Sequence, residues 1–388
     1  MSILLEAPKS SQVLDTLNQS PRKPSRVAIL SDVSAAFGGA ESILVAAMEL
    51  YPDADFFTPV FKEKVIPEKY LRGRKITTSF LQKLPYPEKL YKAYLPLMPL
   101  AIELLDIQNY DVVFSSHHSM IKGVIPHPEA WHVCYCHSPA RYLWDQFWTY
   151  SSMNRLNPVV ELLTGALSQY LRMWDVSAAA RVDVFLANST FTAKRIRKFY
   201  NREARVLFPP VDTSKFSYEP SEDYYLMVGR LVGYKGFELA IDVFNANGKR
   251  LKIIGHGPKY EELKRRAGPN IELMGRVDDD VLIRTMNRCK GFIFPGKEDF
   301  GIVMAEAQSA GKPVIALNEG GAVDIVRHGE TGILAPEYRL EAFAMAVEEA
   351  EKIQWDHRAI QKHAEQFNPV RFRQELQMTL ESRGYPFG

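Results

Sequence analysis

"RVLFPPVDTSKF", residues 205–216, decides how this chain is read. Pro209 and Pro210 lock φ and remove two backbone donors, so the segment is stiff and extended and interrupts the rhythm around it. Before it, short apolar runs alternate with helical patterns. "RVAIL" (26–30) leads into "SDVSAAFGGAESILVAAMEL", where the Gly38–Gly39 turn gives way to a 3.6-residue apolar period from Ile43. "DADFFTPV", "DVVFSS", "WHVCYCHS" (131–138) and "VDVFLANS" (182–189) read as further strands, and "TFTAKRIRKFY" as a helix. After the prolines the same alternation starts afresh with "YYLMVGRLVGYKGFELAIDVF". It runs on through "RLKIIGHGP", "IELMGRV", "GFIFPGKEDFGIVMAEAQSAG", "PVIAL" and "GILA". Strands that alternate with helices pair in parallel. The expected fold is therefore α/β, two Rossmann-like doubly wound domains facing a cleft across a proline-rich hinge.

Length and composition agree. A chain of 388 residues exceeds one comfortable core. With 46% hydrophobic and 24% charged residues it reads as a globular protein, and a net charge of +2 provides no global field for nucleic acid. The three cysteines, Cys134, Cys136 and Cys289, are too few and too oddly numbered for a disulfide scaffold and lack zinc spacing, so buried free thiols in a reducing compartment are expected. The first twenty residues show no leader pattern, and no 18-residue apolar run occurs, so the expectation is a cytoplasmic protein. Residues 1–24 read as a polar extension, 25–205 and 206–368 as the two domains, and 369–388 as a C-terminal helix after the break at Pro369.

In open parallel sheets, ligands bind beyond the carboxyl ends of the strands. "VGRLVGYKG" (228–236) places Arg230 and Lys235 there among glycines. Two cations with accessible backbone amides suit a diphosphate, although such charges are often only solvated surface. "IIGHGP" contains Gly255 and Gly257, a weak half of a dinucleotide motif or a tight turn, and its place at a strand end on the same side as "VGR" puts both glycines among the expected donor-binding residues. "GKEDFGIVMAEA" (296–307) puts Glu298 in a loop and Glu306 two turns into a helix. The backbone of Phe300, Gly301, Ile302 and Val303 lies at that helix's start, a ready anion site. One carboxylate on each side of a phosphate site matches the order of parts in a sugar nucleotide: sugar hydroxyls, diphosphate, ribose diol. Helix capping by Glu298 and a surface role for Glu306 are the plainer alternatives.

With those motifs in view, the chain resembles the retaining glycosyltransferases of family four, which have the GT-B fold. Glu298 and Glu306 match the family's paired glutamates, Arg230 and Lys235 its phosphate-binding cations, and "GGAE" (38–41) its N-terminal glycine loop. "CYCHSPARYLWD" (134–145) is similar to mannosyltransferase-like members that build bacterial surface polysaccharides. The resemblance implies that Glu306 binds the ribose, Glu298 the donor sugar's 3- and 4-hydroxyls, and the amides of residues 300–303 sugar and phosphate. It implies that Arg230 and Lys235 neutralise the leaving diphosphate, that the backbone at Arg276 and Val277 meets the base, and that Gly38 and Gly39 approach the diphosphate from the other domain. His137, ending a strand, would touch the donor's 6-hydroxyl; His117 and His118, adjacent on another strand, are expected to point apart. No cofactor or metal is expected, since the two cations stand where other transferases use a divalent ion, and "DDD" (278–280) reads as a helix cap. The C-terminal helix would return to the first domain.

On this reading the enzyme moves a hexose, with mannose from GDP-mannose favoured over a UDP-sugar, to a glycan or lipid-linked acceptor. Residues 80–106 mix Leu, Tyr and Met with Lys83, Lys89 and Lys92. A core helix pair interrupted by prolines is the favoured reading of that segment, and peripheral contact with the inner face of the cell membrane the functional one. A nucleotide-sugar epimerase and a non-catalytic sugar-nucleotide-binding subunit are weaker alternatives. A NAD-dependent dehydrogenase lacks its full glycine fingerprint.

Overall fold

The structure, a computed structural model, describes residues 26–32, 39–63, 65–147 and 158–382. The first domain is a seven-stranded parallel sheet of β1 (Val27–Ser31), β2 (Asp55–Thr58), β3 (Ile76–Thr78), β4 (Val112–His117), β5 (Trp131–Cys136), β6 (Val184–Ala187) and β7 (Ala204–Val206), in the order β3-β2-β1-β4-β5-β6-β7. The second has six strands: β8 (Tyr225–Val228), β9 (Leu251–Ile254), β10 (Ile271–Gly275), β11 (Gly291–Phe294), β12 (Val314–Leu317) and β13 (Gly332–Ala335), ordered β10-β9-β8-β11-β12-β13. Each order runs outward from its first strand and then reverses, which is the doubly wound arrangement. Strands such as "VAILS", "GFIF" and "VIAL" are buried along their whole length, because helices cover both faces. The expected fold is thus observed.

Two segments join the domains. The proline linker leaves β7 and enters the second domain, and the chain comes back beside it, with the Val211 amide donating to the Phe367 carbonyl at 2.8 Å. The rings of Phe208 and Phe367 pack edge-on at 5.3 Å. Asn368 then caps the helix Pro369–Glu381 by accepting from the Arg371 amide. That helix lays Phe372, Leu376 and Leu380 into the core beneath the first sheet, and Trp131 Nε1 donates to the Thr379 carbonyl.

Two local expectations need correction. Residues 80–106 do not form a helix pair. They make short turns and single-turn helices, 80–83, 87–90, 95–97 and 98–103, because Pro85, Pro87, Pro96 and Pro99 interrupt longer hydrogen-bond ladders. Asp278 does take the cap position before the helix Asp279–Arg288, but its side chain makes no capping hydrogen bond. The cysteines are free and buried.

Leu376→Ala should lower stability by about 2–5 kcal/mol, the usual range for emptying a fully buried leucine site. A thermal melt that shows the first domain's transition unmoved would mean that the returning helix does not contribute to that core.

Candidate functional site

In the second sheet the winding reverses between β8 and β11, and the loops leaving those two strands carry the expected cations and carboxylates. Lys235 closes a short turn after β8, and its Nζ stands 3.0 Å from Glu298 Oε1 in the loop after β11. That oxygen makes no aligned hydrogen bond, so the contact is an ion pair that leaves acceptor capacity free. Arg230 is exposed and its guanidinium has no partner among the described residues. Lys235 and Glu298 are therefore brought together, with Arg230 at the outer end of the same loop.

Gly255 and Gly257 lie directly beneath that loop. A Cβ on either would stand within 2.4 Å of the carbonyl oxygen of Gly229 or Leu231, so both glycines have a packing reason of their own. Arg276 and Val277 follow β10, one exposed and the other packed against the domain core. Gly38 lies outside the described residues, and Gly39 is the first residue of the helix Gly39–Leu50.

The Glu298 loop rests on residues that the motif reading missed. Gly321 donates its amide to the Glu298 carbonyl at 2.9 Å, and a Cβ there would meet the Phe300 carbonyl oxygen at 2.3 Å. The "GG" at 320–321, just after β12, was the signal available in the sequence. Gly301 then opens the helix Ile302–Ser309 in a left-handed conformation. The Ile302 and Val303 amides belong to its first turn and have no acceptor within the helix. Further along, Glu306 is largely enclosed, and its carboxyl is pushed up to about 7 by burial, with Lys215 opposing and Asp212 and Asp279 adding to the rise. Among the described residues no cation pairs with it within 4 Å.

The first domain contributes its own reversal point, between β1 and β4. Asp32, at the end of β1, accepts from the amides of His118, Ser119, Met120 and Ile121 at 2.8–2.9 Å and so fixes the loop after β4. The expectation that His117 and His118 point apart fails here. Both Nδ1 atoms approach Asp32 Oδ2, at 3.7 and 3.9 Å, because β4 ends at His117 and the alternation of side chains ends with it. His137 follows β5, its Nε2 2.8 Å from Ser116 Oγ. Burial, reinforced by His118, lowers its pKa to about 3, so the ring is neutral at physiological pH. Among the described residues no group of three potential ligands could hold a metal ion.

The two sites are tied to each other. Arg195 and Arg141 of the first domain both pair with Asp299, the residue after Glu298. Arg195 also donates to Ser138 Oγ at 2.6 Å, which sets the His137 segment opposite the Glu298 loop. None of these charged residues was singled out from the sequence, where an isolated Arg or Asp carries no spacing signal.

Comparison with known proteins matches residues 53–215 to the model of Glycosyltransferase Family 4 and residues 212–367 to that of Glycosyl transferases group 1. The chain is 25% identical over 227 residues to the D-rhamnosyltransferase WbpZ of Pseudomonas aeruginosa, covering 54% of this chain and 57% of that one. It is 28% identical over 200 residues to a Mycobacterium tuberculosis protein named GDP-mannose-dependent alpha-(1-6)-phosphatidylinositol monomannoside mannosyltransferase, covering 43% and 52%. The chain thus spans about half the length of these curated relatives. Among solved structures, Anabaena Alr3699/HepE, in complex with UDP and glucose, superposes with a TM-score of 0.66 at 18% identity, covering 92% of this chain and all of that one.

Glu306 generates a pH prediction. In the folded chain its carboxyl holds a proton up to about pH 7, whereas the unfolded group releases it near 4.5. Between those values the folded state binds more protons, so this group's contribution to stability falls as pH rises and levels off above 7. Glu306→Gln should therefore melt like wild type near pH 4.5 and several degrees higher at pH 8. A difference that does not change with pH would show that the carboxylate is not enclosed.

Proposed function

We propose, for a chain that belongs to the family-four type of glycosyltransferases with the GT-B fold, a retaining hexosyl transfer from a nucleotide sugar to a glycan or lipid-linked acceptor. The favoured donor is GDP-mannose, supported by the relatives named as GDP-mannose-dependent mannosyltransferases. The observation that carries the reading is the meeting of Lys235, Glu298 and an open helix start at the reversal point of the second sheet, opposite His137.

The residues divide the work by charge. Negative charge grows on the diphosphate as the glycosidic C–O bond breaks, and Arg230 and Lys235 stabilise it together with the first-turn amides of residues 302–303. The carbon becomes oxocarbenium-like. The acceptor hydroxyl attacks from the face the phosphate is leaving, and its proton passes to the departing phosphate oxygen, so the anomeric configuration is kept. Glu298 orients sugar hydroxyls. Its pairing with Lys235 makes it a weak nucleophile, which favours front-face transfer over a covalent glycosyl-enzyme. Neutral His137 offers a hydrogen bond to the sugar without competing for the acceptor's proton. Glu306 accepts from the ribose diol. The two cations at the leaving group support departure without a metal ion.

For the acceptor side, residues 62–92 hold nine Lys and Arg against three Asp and Glu. The following turns expose Leu97, Leu100 and Leu104. Basic and apolar surface together suit the interface of an anionic bilayer that carries a lipid-linked acceptor. Among the described residues no helix is long and apolar enough to cross a membrane.

Thermal-shift titration with GDP, UDP, GDP-mannose and UDP-sugars, with and without chelator, tests the donor. Stabilisation by the guanosine compounds alone is expected, undiminished by chelator. Stabilisation by uridine compounds alone would overturn the sugar assignment, and a chelator-sensitive shift the metal-free one. Lys235→Ala should cut kcat by about 10²–10³-fold, the usual cost of removing one stabiliser of developing negative charge, with the fold intact. Unchanged turnover would remove Lys235 from the leaving-group role.

A further inference from the structure

We propose that Asp299 is a positioning residue that holds the donor loop in its working shape by binding two arginines of the opposite domain. The proposal rests on the transferase reading for its link to turnover, and on geometry alone for the clamp itself.

Three consecutive residues of the loop are held from three directions. Glu298 pairs with Lys235 in its own domain. Phe300 packs against the hinge, with ring centroids 5.8 Å from Phe208 and 5.4 Å from Phe367. Between them Asp299 divides its oxygens. Oδ1 accepts from Arg195 Nη1 at 3.0 Å, and Oδ2 takes Arg141 through both Nε, at 3.1 Å, and Nη2.

The arginines are themselves fixed. Arg195 is 6% exposed, and it also holds Asp145 at 2.5 Å and Ser138 Oγ. Arg141 projects from the segment just after His137, and its guanidinium lies 5.8 Å from the Tyr234 ring, beside Lys235. Removing one partner of an enclosed ion pair strands the other charge, so this arrangement persists only while the domains stay together.

The consequence is specific. Asp299 touches neither the diphosphate cations nor the ribose carboxylate. It sets the backbone between Glu298 and the helix start, so it acts on the orientation of groups that bind sugar and phosphate. Bringing the domains together and shaping the donor loop are one event, because the same carboxylate does both.

A second contact across the domains provides the control. Asp324 accepts from the Thr190 amide and hydroxyl, both at 2.8 Å, at the start of the helix Thr190–Tyr200, and Asp324 is not part of the Glu298 loop.

Amide hydrogen exchange on the full ligand-free chain tests the clamp without any substrate. Asp299→Asn should speed exchange at Gly321 and Met304, whose amides donate to the Glu298 and Gly301 carbonyls, by about tenfold, a loss of about 1.4 kcal/mol of local protection. Exchange in β8 and β12 should not change. Arg141→Gln should produce a smaller change at the same amides, and the double variant no more than Asp299→Asn alone. Arg141→Gln carries the test if Asp299→Asn fails to fold, since Arg195 still holds the carboxylate. Asp324→Asn should leave the loop's exchange as in wild type. Wild-type exchange at Gly321 and Met304 in the clamp variants, acceleration spread over the whole sheet, or the same loop acceleration in Asp324→Asn would each overturn the proposal. With the nucleotide sugar that wild type turns over, Asp299→Asn should lower kcat about tenfold and keep the donor KM within about threefold. An unchanged kcat beside a loosened loop would deny the loop's part in turnover while leaving the clamp in place. A wild type that turns over no sugar nucleotide would count against the transferase reading alone.

Discussion

The Asp299 carboxylate, shared between Arg141 and Arg195, is the contact on which the site's geometry turns. Parallel sheets deliver their useful loops at the carboxyl ends of strands, and in this chain two such sets of loops face one another. Loops are intrinsically adaptable, and a loop that must present a carboxylate, a cation and open amides in one geometry has to be fixed from outside. The flanking pairing of Glu298 with Lys235 and the packing of Phe300 on the hinge leave the short stretch 298–300 little freedom.

The first domain solves the same problem with a single residue. Asp32 satisfies four consecutive backbone amides after β4, where a loop would otherwise bury unpaired donors. That turn follows the buried His117, whose carbonyl accepts from the His137 amide at 2.8 Å. Enclosure keeps His117 and His137 neutral, so neither ring adds positive charge to that of Arg230 and Lys235 on the loop after β8. The aromatic contact of the two crossing segments, Phe208 with Phe367, joins the hinge to the same loop through Phe300. Domain connection and donor loop therefore share one packed cluster.

The sites were unequally legible in the sequence. Lys235, Glu298 and the helix start at Gly301 lie close along the chain or at strand ends, and their residue types announce their chemistry. Gly255 and Gly257 were visible as glycines, but their tight approach to Gly229 and Leu231 is a contact between two loops that no local pattern encodes. His117 and His118 were misread because the strand period was extended one residue past the end of β4. In residues 80–106 the four prolines do more than interrupt a helix pair: helix ladders break at each one, and only short turns and single-turn helices remain.

The sequence alone determined the α/β class and the two-domain division, and it marked the strand-end segments that carry Lys235 and Glu298, because alternating apolar periods, paired prolines and glycine-flanked charges are local signals. Tertiary structure decided the ionic partners. Asp299 lies 158 residues from Arg141 and 104 from Arg195, and Asp324 lies 134 from Thr190. Charge pairs at such separations leave no periodicity to read. They exist only where loops of the two sheets meet, and that meeting determines which carboxylates are held by arginines of the opposite domain.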